Sequence, residues 1–218
     1  METFQCNESN NSPVWGIVDL FRWKVLSEEA GGGKQYIQKF KDAWVHHNRE
    51  KIKSAAHTYG FPPELLAGVC WIEVGGDPNF IDRVAFEVRS FDWSGPPVID
   101  KLAITRHPTK TSFGSVSIQL RTAAQTLGLN SDEMDTAQLR KLANCLERDM
   151  FNIDTVAKHL KDLIARDKLT SPFSMDDVRI IGARYNRGTG LSLKQIKENT
   201  SYGNFIVNFW PRFTELLR

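Results

Sequence analysis

The stretch LLAGVCWIEVGGDPN, Leu65–Asn79, sets one carboxylate, Glu73, into an almost unbroken apolar run and follows it with two glycines. Phe61-Pro62-Pro63-Glu64 ahead of it place proline in the first turn of a helix. On that helix Val69 and Cys70, four and three residues back, stack beside Glu73. Trp71, Ile72 and Val74 complete an apolar collar. A carboxyl in such a collar resists ionisation, because burial disfavours the charged form. A carboxylic acid kept protonated near neutral pH is what a glycosidase needs to protonate a glycosidic oxygen. Gly75-Gly76 then ends the helix without side chains and leaves room for a bulky polymer to approach the carboxyl. The competing reading is a helix-end glutamate turned outward to water.

The text on either side is mostly helical. From Lys34 to Tyr59, Tyr36, Ile37, Phe40, Trp44, Val45 and Ile52 recur at three- and four-residue steps, and Gly60 ends the run. His46 and His47 are consecutive, point in different directions and make a poor metal pair. AFEVRSF, Ala85–Phe91, partly alternates and is rich in Phe and Val, which predicts a short strand, and WSGPP turns the chain after it. Ser115–Gly128 reads as one helix, Thr136–Leu146 and Glu147–Arg166 as one or two more, and Met175–Tyr185 and Tyr202–Leu217 complete the set. Val14–Leu26 is a short helix or an irregular apolar layer. Ser27–Gln35 is the most linker-like segment, and its GGGK lacks the Ser or Thr that a phosphate loop requires after the lysine. The layout is α+β, mostly α, with residues 1–33 as an N-terminal extension and 34–218 as the main domain.

Composition excludes several classes. A net charge of +2 with no broad basic stripe gives no reason to expect nucleic acid as a partner. No apolar run approaches the roughly 20 residues of a membrane span, so no span is expected. METFQCNESNNSP lacks the basic and apolar regions of a Sec signal peptide. The expectation is a chain made in the cytoplasm that leaves, if it does, by another route. Cys6, Cys70 and Cys145 are odd in number and widely spaced, with no CxxC, and are expected to be reduced or inert thiols. Cys70 lies inside an apolar helix away from any obvious base, which suits buried filler better than a nucleophile. Neither a metal nor a cofactor is expected.

Two further stretches act together with the Glu73 segment: FGSVSIQLRTA, Phe113–Ala123, and IGARYNRGTG, Ile181–Gly190. In this order they resemble the lysozyme-like lytic transglycosylases and goose-type lysozymes. In that group a helix ends in a catalytic E-S-x-x-N/P segment, and a small β-region comes next. A G-L-M-Q-I…T-A helix and an A-Y-N-A-G-x-G turn follow. Here the matching residues are Glu73 through Asn79, Gly114 through Gln119 to Thr122-Ala123, and Ala183 through Gly190, within roughly residues 60–217. The chain departs from the pattern at Val74, where the group has Ser, and at Ser115–Ile118, which is longer than Leu-Met. Arg184 and Arg187 replace small residues around Tyr185-Asn186.

The resemblance implies a lysozyme-like fold with a small β-hairpin region between helices. It implies a muramidase cleaving the β-1,4 bond between N-acetylmuramic acid and N-acetylglucosamine, with residues 34–218 as the catalytic domain. It makes Glu73 the general acid and Tyr185 the tyrosine near the acid and the sugar. Gln119 and Ser117 become residues of the cleft wall, and Asn186 a positioning residue. Among the carboxylates downstream, Asp77, Asp82, Glu87 and Asp92, the strand-borne Glu87 is the candidate for a water-holding base. Peptidoglycan glycan strands are the implied partner. The missing signal suggests a phage lysin or an antibacterial effector exported by a specialised machine to the periplasm or cell wall, with a cognate immunity protein. The alternatives are a wall-binding scaffold that kept the fold and lost activity, and a thiol-dependent peptidoglycan amidase or peptidase.

Overall fold

A computed structural model of the chain describes residues 4, 6, 11–75, 86 and 107–218. It forms two units, one from Met1–Phe40 and Val74–Asn152, the other from Lys41–Glu73 and Ile153–Arg218. Among the described residues the chain is mostly α-helical with one small antiparallel sheet.

In the first unit α1 (Ile17–Val25) leads through turns to α2 (Gly33–His47), which passes into the second unit at Lys41. Trp15 lies among Trp23, Tyr36 and Phe40, with its ring 4.7 Å from that of Phe40. The sheet is a hairpin of β1 (Ser112–Phe113) and β2 (Ile118–Gln119), in the register Ser112 to Gln119 and Phe113 to Ile118. Residues 115–119 were expected to open a helix. They instead form the hairpin turn and β2, and α5 runs only over Leu120–Thr126. The physical reason is visible in Ser115-Val116-Ser117-Ile118-Gln119. Val116 and Ile118 are buried while Ser117 is exposed, a period of two rather than 3.6.

Gly114 has φ +85°, and a Cβ there would meet the Leu146 carbonyl at 2.3 Å and the Asn152 side chain at 2.5 Å. Asn152, at the start of α7 (Asp149–Arg166), grips the turn from both sides. Its Oδ1 accepts from Val116 N at 2.7 Å and its Nδ2 donates to Val116 O at 3.1 Å. Ser115 Oγ donates to Asp149 Oδ1 at 2.7 Å.

Helix α6 (Thr136–Leu146) starts at a capping box. Asp135 accepts from Gln138 N, and the Gln138 side chain accepts from Asp135 N, both at 2.8 Å. Near its end Cys145 forms a disulfide with Cys6, with Cα atoms 5.3 Å apart. This corrects the expectation of reduced or inert thiols for that pair. Pairing depends on which cysteines the fold brings within reach, and a separation of 139 residues leaves no trace of it in the spacing. The strand expected over Ala85–Phe91 lies outside the described residues except for Phe86, which is helical and buried.

The second unit is built around α4 (Pro63–Glu73). Leu65 through Trp71 are all buried, so the helix is apolar all round and central. It packs against α3 (Arg49–Tyr59), α8 (Met175–Arg187), α10 (Ser201–Asn208) and α11 (Trp210–Leu216). Helix α9 (Leu193–Glu198) packs on α8. The Lys34–Tyr59 pattern divides at Asn48 into α2 and α3, and α3 stops at Gly60 in the left-handed region. The last expected helix divides before Trp210-Pro211, where proline takes the first turn of α11.

Helices α8 and α10 cross closely at two glycines. A Cβ on Gly182 would meet Gly203 Cα at 2.8 Å, and one on Gly203 would meet the Arg179 carbonyl oxygen at 2.0 Å. That contact brings the first turn of α10 against α8.

Candidate active site

Glu73 is the last residue of α4 and is half-buried. Tyr202, in the first turn of α10, donates from Oη to Glu73 Oε1 at 2.8 Å. Burial pushes the carboxyl above its ordinary range. The Tyr202 hydrogen bond and the charge of Lys41 act in the opposite direction and are smaller.

Tyr185 comes from α8, and its ring centroid lies 6.1 Å from that of Tyr202. Burial, reinforced by the Glu73 charge, pushes both phenols well above their ordinary value, so both remain donors at neutral pH. Behind Tyr185 the His159 ring stands edge-on at 5.9 Å. Burial lowers that imidazole to about 4, so it is neutral.

The end of α4 is fixed from several directions. Lys41 Nζ donates to Trp71 O at 2.8 Å and Ile72 O at 2.6 Å. Trp71 Nε1 donates to Asp42 Oδ1 at 2.8 Å, and Arg212 grips both oxygens of Asp42. The Trp71 ring stacks on Phe205 at 5.4 Å and lies 5.7 Å below the Arg212 guanidinium. These contacts leave the helix end little freedom to fray.

Of the residues singled out from sequence, Glu73 and Tyr185 meet in this cluster. Asn186 follows Tyr185 on α8 and is exposed. Gln119 and Ser117 belong to the other unit. Gln119, the last residue of β2 and the residue before α5, is half-buried, and its Oε1 accepts from Arg121 Nε at 2.8 Å. Ser117 is exposed in the hairpin turn. Glu87 lies outside the described residues, as do Asp77, Asp82 and Asp92.

The two arginines that flank Tyr185-Asn186 make structural contacts. Arg184, with its side chain 2% exposed, forms a two-pronged pair with Asp167, and it donates to Leu191 O at 2.6 Å. Arg187 donates to Gln195 O at 2.7 Å. Arg184 ties α8 to Asp167 and to the turn that follows α8, and Arg187 ties the end of α8 to α9.

Tyr202 is the participant that sequence reading missed. No motif marks it. The available signal was a spacing of small residues, Gly182-x-x-Tyr185 on one helix and Tyr202-Gly203 on the other, which lets two helices bring their tyrosines together. Cys70 is fully buried. Among the described residues no group of three or more His, Cys, Asp or Glu side chains could hold a metal ion, and no helix is long and apolar enough to cross a membrane. No family model, curated protein or solved structure matches the chain.

The cluster can perform proton donation. A carboxyl held partly out of water, with one oxygen fixed by a phenol, is protonated over a higher pH range than a solvated glutamate. Once it has lost its proton, the same phenol stabilises the anion through a charge-assisted hydrogen bond.

Proposed function

We propose that the protein is a peptidoglycan muramidase with a lysozyme-like fold. The observation that carries this reading is the half-buried Glu73 at the end of an apolar helix, hydrogen-bonded by Tyr202 with Tyr185 beside it. In this reading protonated Glu73 gives its proton to the oxygen of the N-acetylglucosamine leaving group as the bond to C1 of N-acetylmuramic acid breaks. C1 is then captured by the oxygen of water, giving a reducing end, or by the muramoyl 6-hydroxyl oxygen, giving a 1,6-anhydro end, and the Glu73 anion takes the proton that oxygen loses. Tyr202 steadies the anion between the two steps, and Tyr185 serves the sugar or the developing charge. Mostly helical structure with one small hairpin supports the expected layout.

The substrate lies outside the cytoplasm, and the Cys6–Cys145 disulfide suits an oxidising compartment. Export to the periplasm or wall, as a phage lysin or as an effector checked by an immunity protein, belongs to the same proposal. The thiol-dependent alternative lacks a usable nucleophile, since Cys70 is fully buried and the other two cysteines are joined. The experiment is clearing of purified sacculi by wild type and Glu73→Gln. Wild type should clear the suspension, and folded Glu73→Gln should not. Equal clearing by both would remove Glu73 from the chemistry. A folded wild type that clears nothing would favour the inactive scaffold.

A further inference from the structure

A helix leaves its last carbonyls without intrahelical partners and carries partial negative charge at that end. Glu73 occupies that end of α4, where its anion is disfavoured by the dipole as well as by burial. Lys41 answers both problems. It is 8% exposed, and it spends two N–H groups on the carbonyls of Trp71 and Ile72, the two residues immediately before the acid. Its Nζ stands over the Trp71 ring, 5.2 Å from the centroid.

We propose that Lys41 is a positioning residue for the Glu73 acid: its ammonium holds the last turn of α4 in place and supplies the positive charge against which the carboxyl ionises. For its catalytic meaning this rests on the muramidase reading above. In that reaction one carboxyl acts twice, first as an acid and then as a base, so neither form can be too strongly preferred. Burial favours the protonated form of Glu73, and the Tyr202 hydrogen bond, followed by the Lys41 charge, works back toward the anion. Burial lowers the ammonium to about 8, and the Glu73 charge works against that fall.

The other charged and titratable groups around α4 have different engagements. Asp42 from α2 is held by Arg212 of α11 and by Trp71. Tyr202 of α10 is a neutral donor to Glu73, and Tyr185 of α8 is a neutral neighbour. His159 of α7 is neutral behind Tyr185. On α3, Glu50 pairs with Lys53 and Arg49. Among the described residues, Lys41 is the cation whose charge acts on Glu73.

The experiment is a pH titration of the Glu73 side-chain carboxyl by carbon-13 NMR in wild type, Lys41→Met and Lys41→Arg, alongside the pH profile of sacculus clearing. In Lys41→Met the Glu73 midpoint should move to higher pH, and the alkaline limb of the clearing profile should move with it. Lys41→Arg should keep both nearer wild type. Wild type alone also decides the matter if the variants do not fold: its Glu73 resonance should show a second inflection near pH 8, as Lys41 loses its proton. An unmoved midpoint in folded Lys41→Met, or no second inflection in wild type, overturns the inference. The NMR result does not depend on cleavage. A Glu73 that responds to Lys41 in a protein that leaves sacculi intact would count against the muramidase reading and for the pairing.

Discussion

Burial raises Glu73 in the folded chain, which ties this carboxyl to stability as well as to the proposed chemistry. A group whose folded pKa is raised contributes stability below its unfolded value and loses that contribution as the pH climbs through the folded value. Glu73→Gln removes this titration. It should therefore melt above wild type at about pH 8, with the gap closing toward about pH 4, as read by calorimetry at both pH values. A gap independent of pH would mean that Glu73 ionises alike in the folded and unfolded chains. Tyr202→Phe keeps the ring and removes the donor to Oε1. A hydrogen bond to a charged group contributes about 1.5–3 kcal/mol, so clearing should fall roughly ten- to a hundredfold. The Glu73 midpoint should also rise, because the lost bond favoured the anion. Tyr185→Phe, which removes no hydrogen bond to Glu73, should leave that midpoint nearer wild type. An unchanged midpoint in folded Tyr202→Phe would contradict the role given to that phenol. At this scale Glu73 was legible because an isolated carboxylate in an apolar helix is a conspicuous local pattern. Tyr202 was not, because its role arises from a partner 129 positions away.

The elements that carry these residues depend on close helix contact. Gly203→Ala would place a methyl group against the Arg179 carbonyl and push α10 from α8. Overpacking of this kind costs about 1–3 kcal/mol. Thermal melting should fall accordingly, and clearing should fall further than stability does, since Tyr202 adjoins the displaced contact. Wild-type melting and clearing together would show that the crossing does not position the tyrosine. Helices with strong local signals were legible: Thr136–Leu146 was read as helical over the span observed, and Met175 was read as the start of α8, which Ser174 caps in the structure. Ser115–Gln119 was misread because a short alternating run leading into a helix was absorbed into the helix. The hairpin turn is set by Gly114 and by Asn152, which arrives from distant sequence. Arg184 and Arg187 stood out in the sequence only as replacements of small residues around Tyr185-Asn186, because their partners, Leu191 O in the turn after α8 and Gln195 O in α9, are set by the fold.

For the whole chain, the Cys6–Cys145 bridge closes a loop across 139 positions. The loop-entropy model assigns such a crosslink up to about 5 kcal/mol. Reduction, or Cys6→Ser, should lower the melting temperature clearly, and identical melting with and without reductant would show that the bridge carries no stability. Neither the bridge nor the two-unit division was legible, since both depend on contacts between segments far apart in sequence. The central claim is that Glu73 drives cleavage of the glycan strand itself. Mass spectrometry of sacculi digested by wild type and by Glu73→Gln tests it most directly. The account predicts disaccharide-peptide fragments ending in reducing or 1,6-anhydro muramic acid from wild type, and intact strands from folded Glu73→Gln. Free peptides released from uncut glycan, or the same fragments from both proteins, would contradict it.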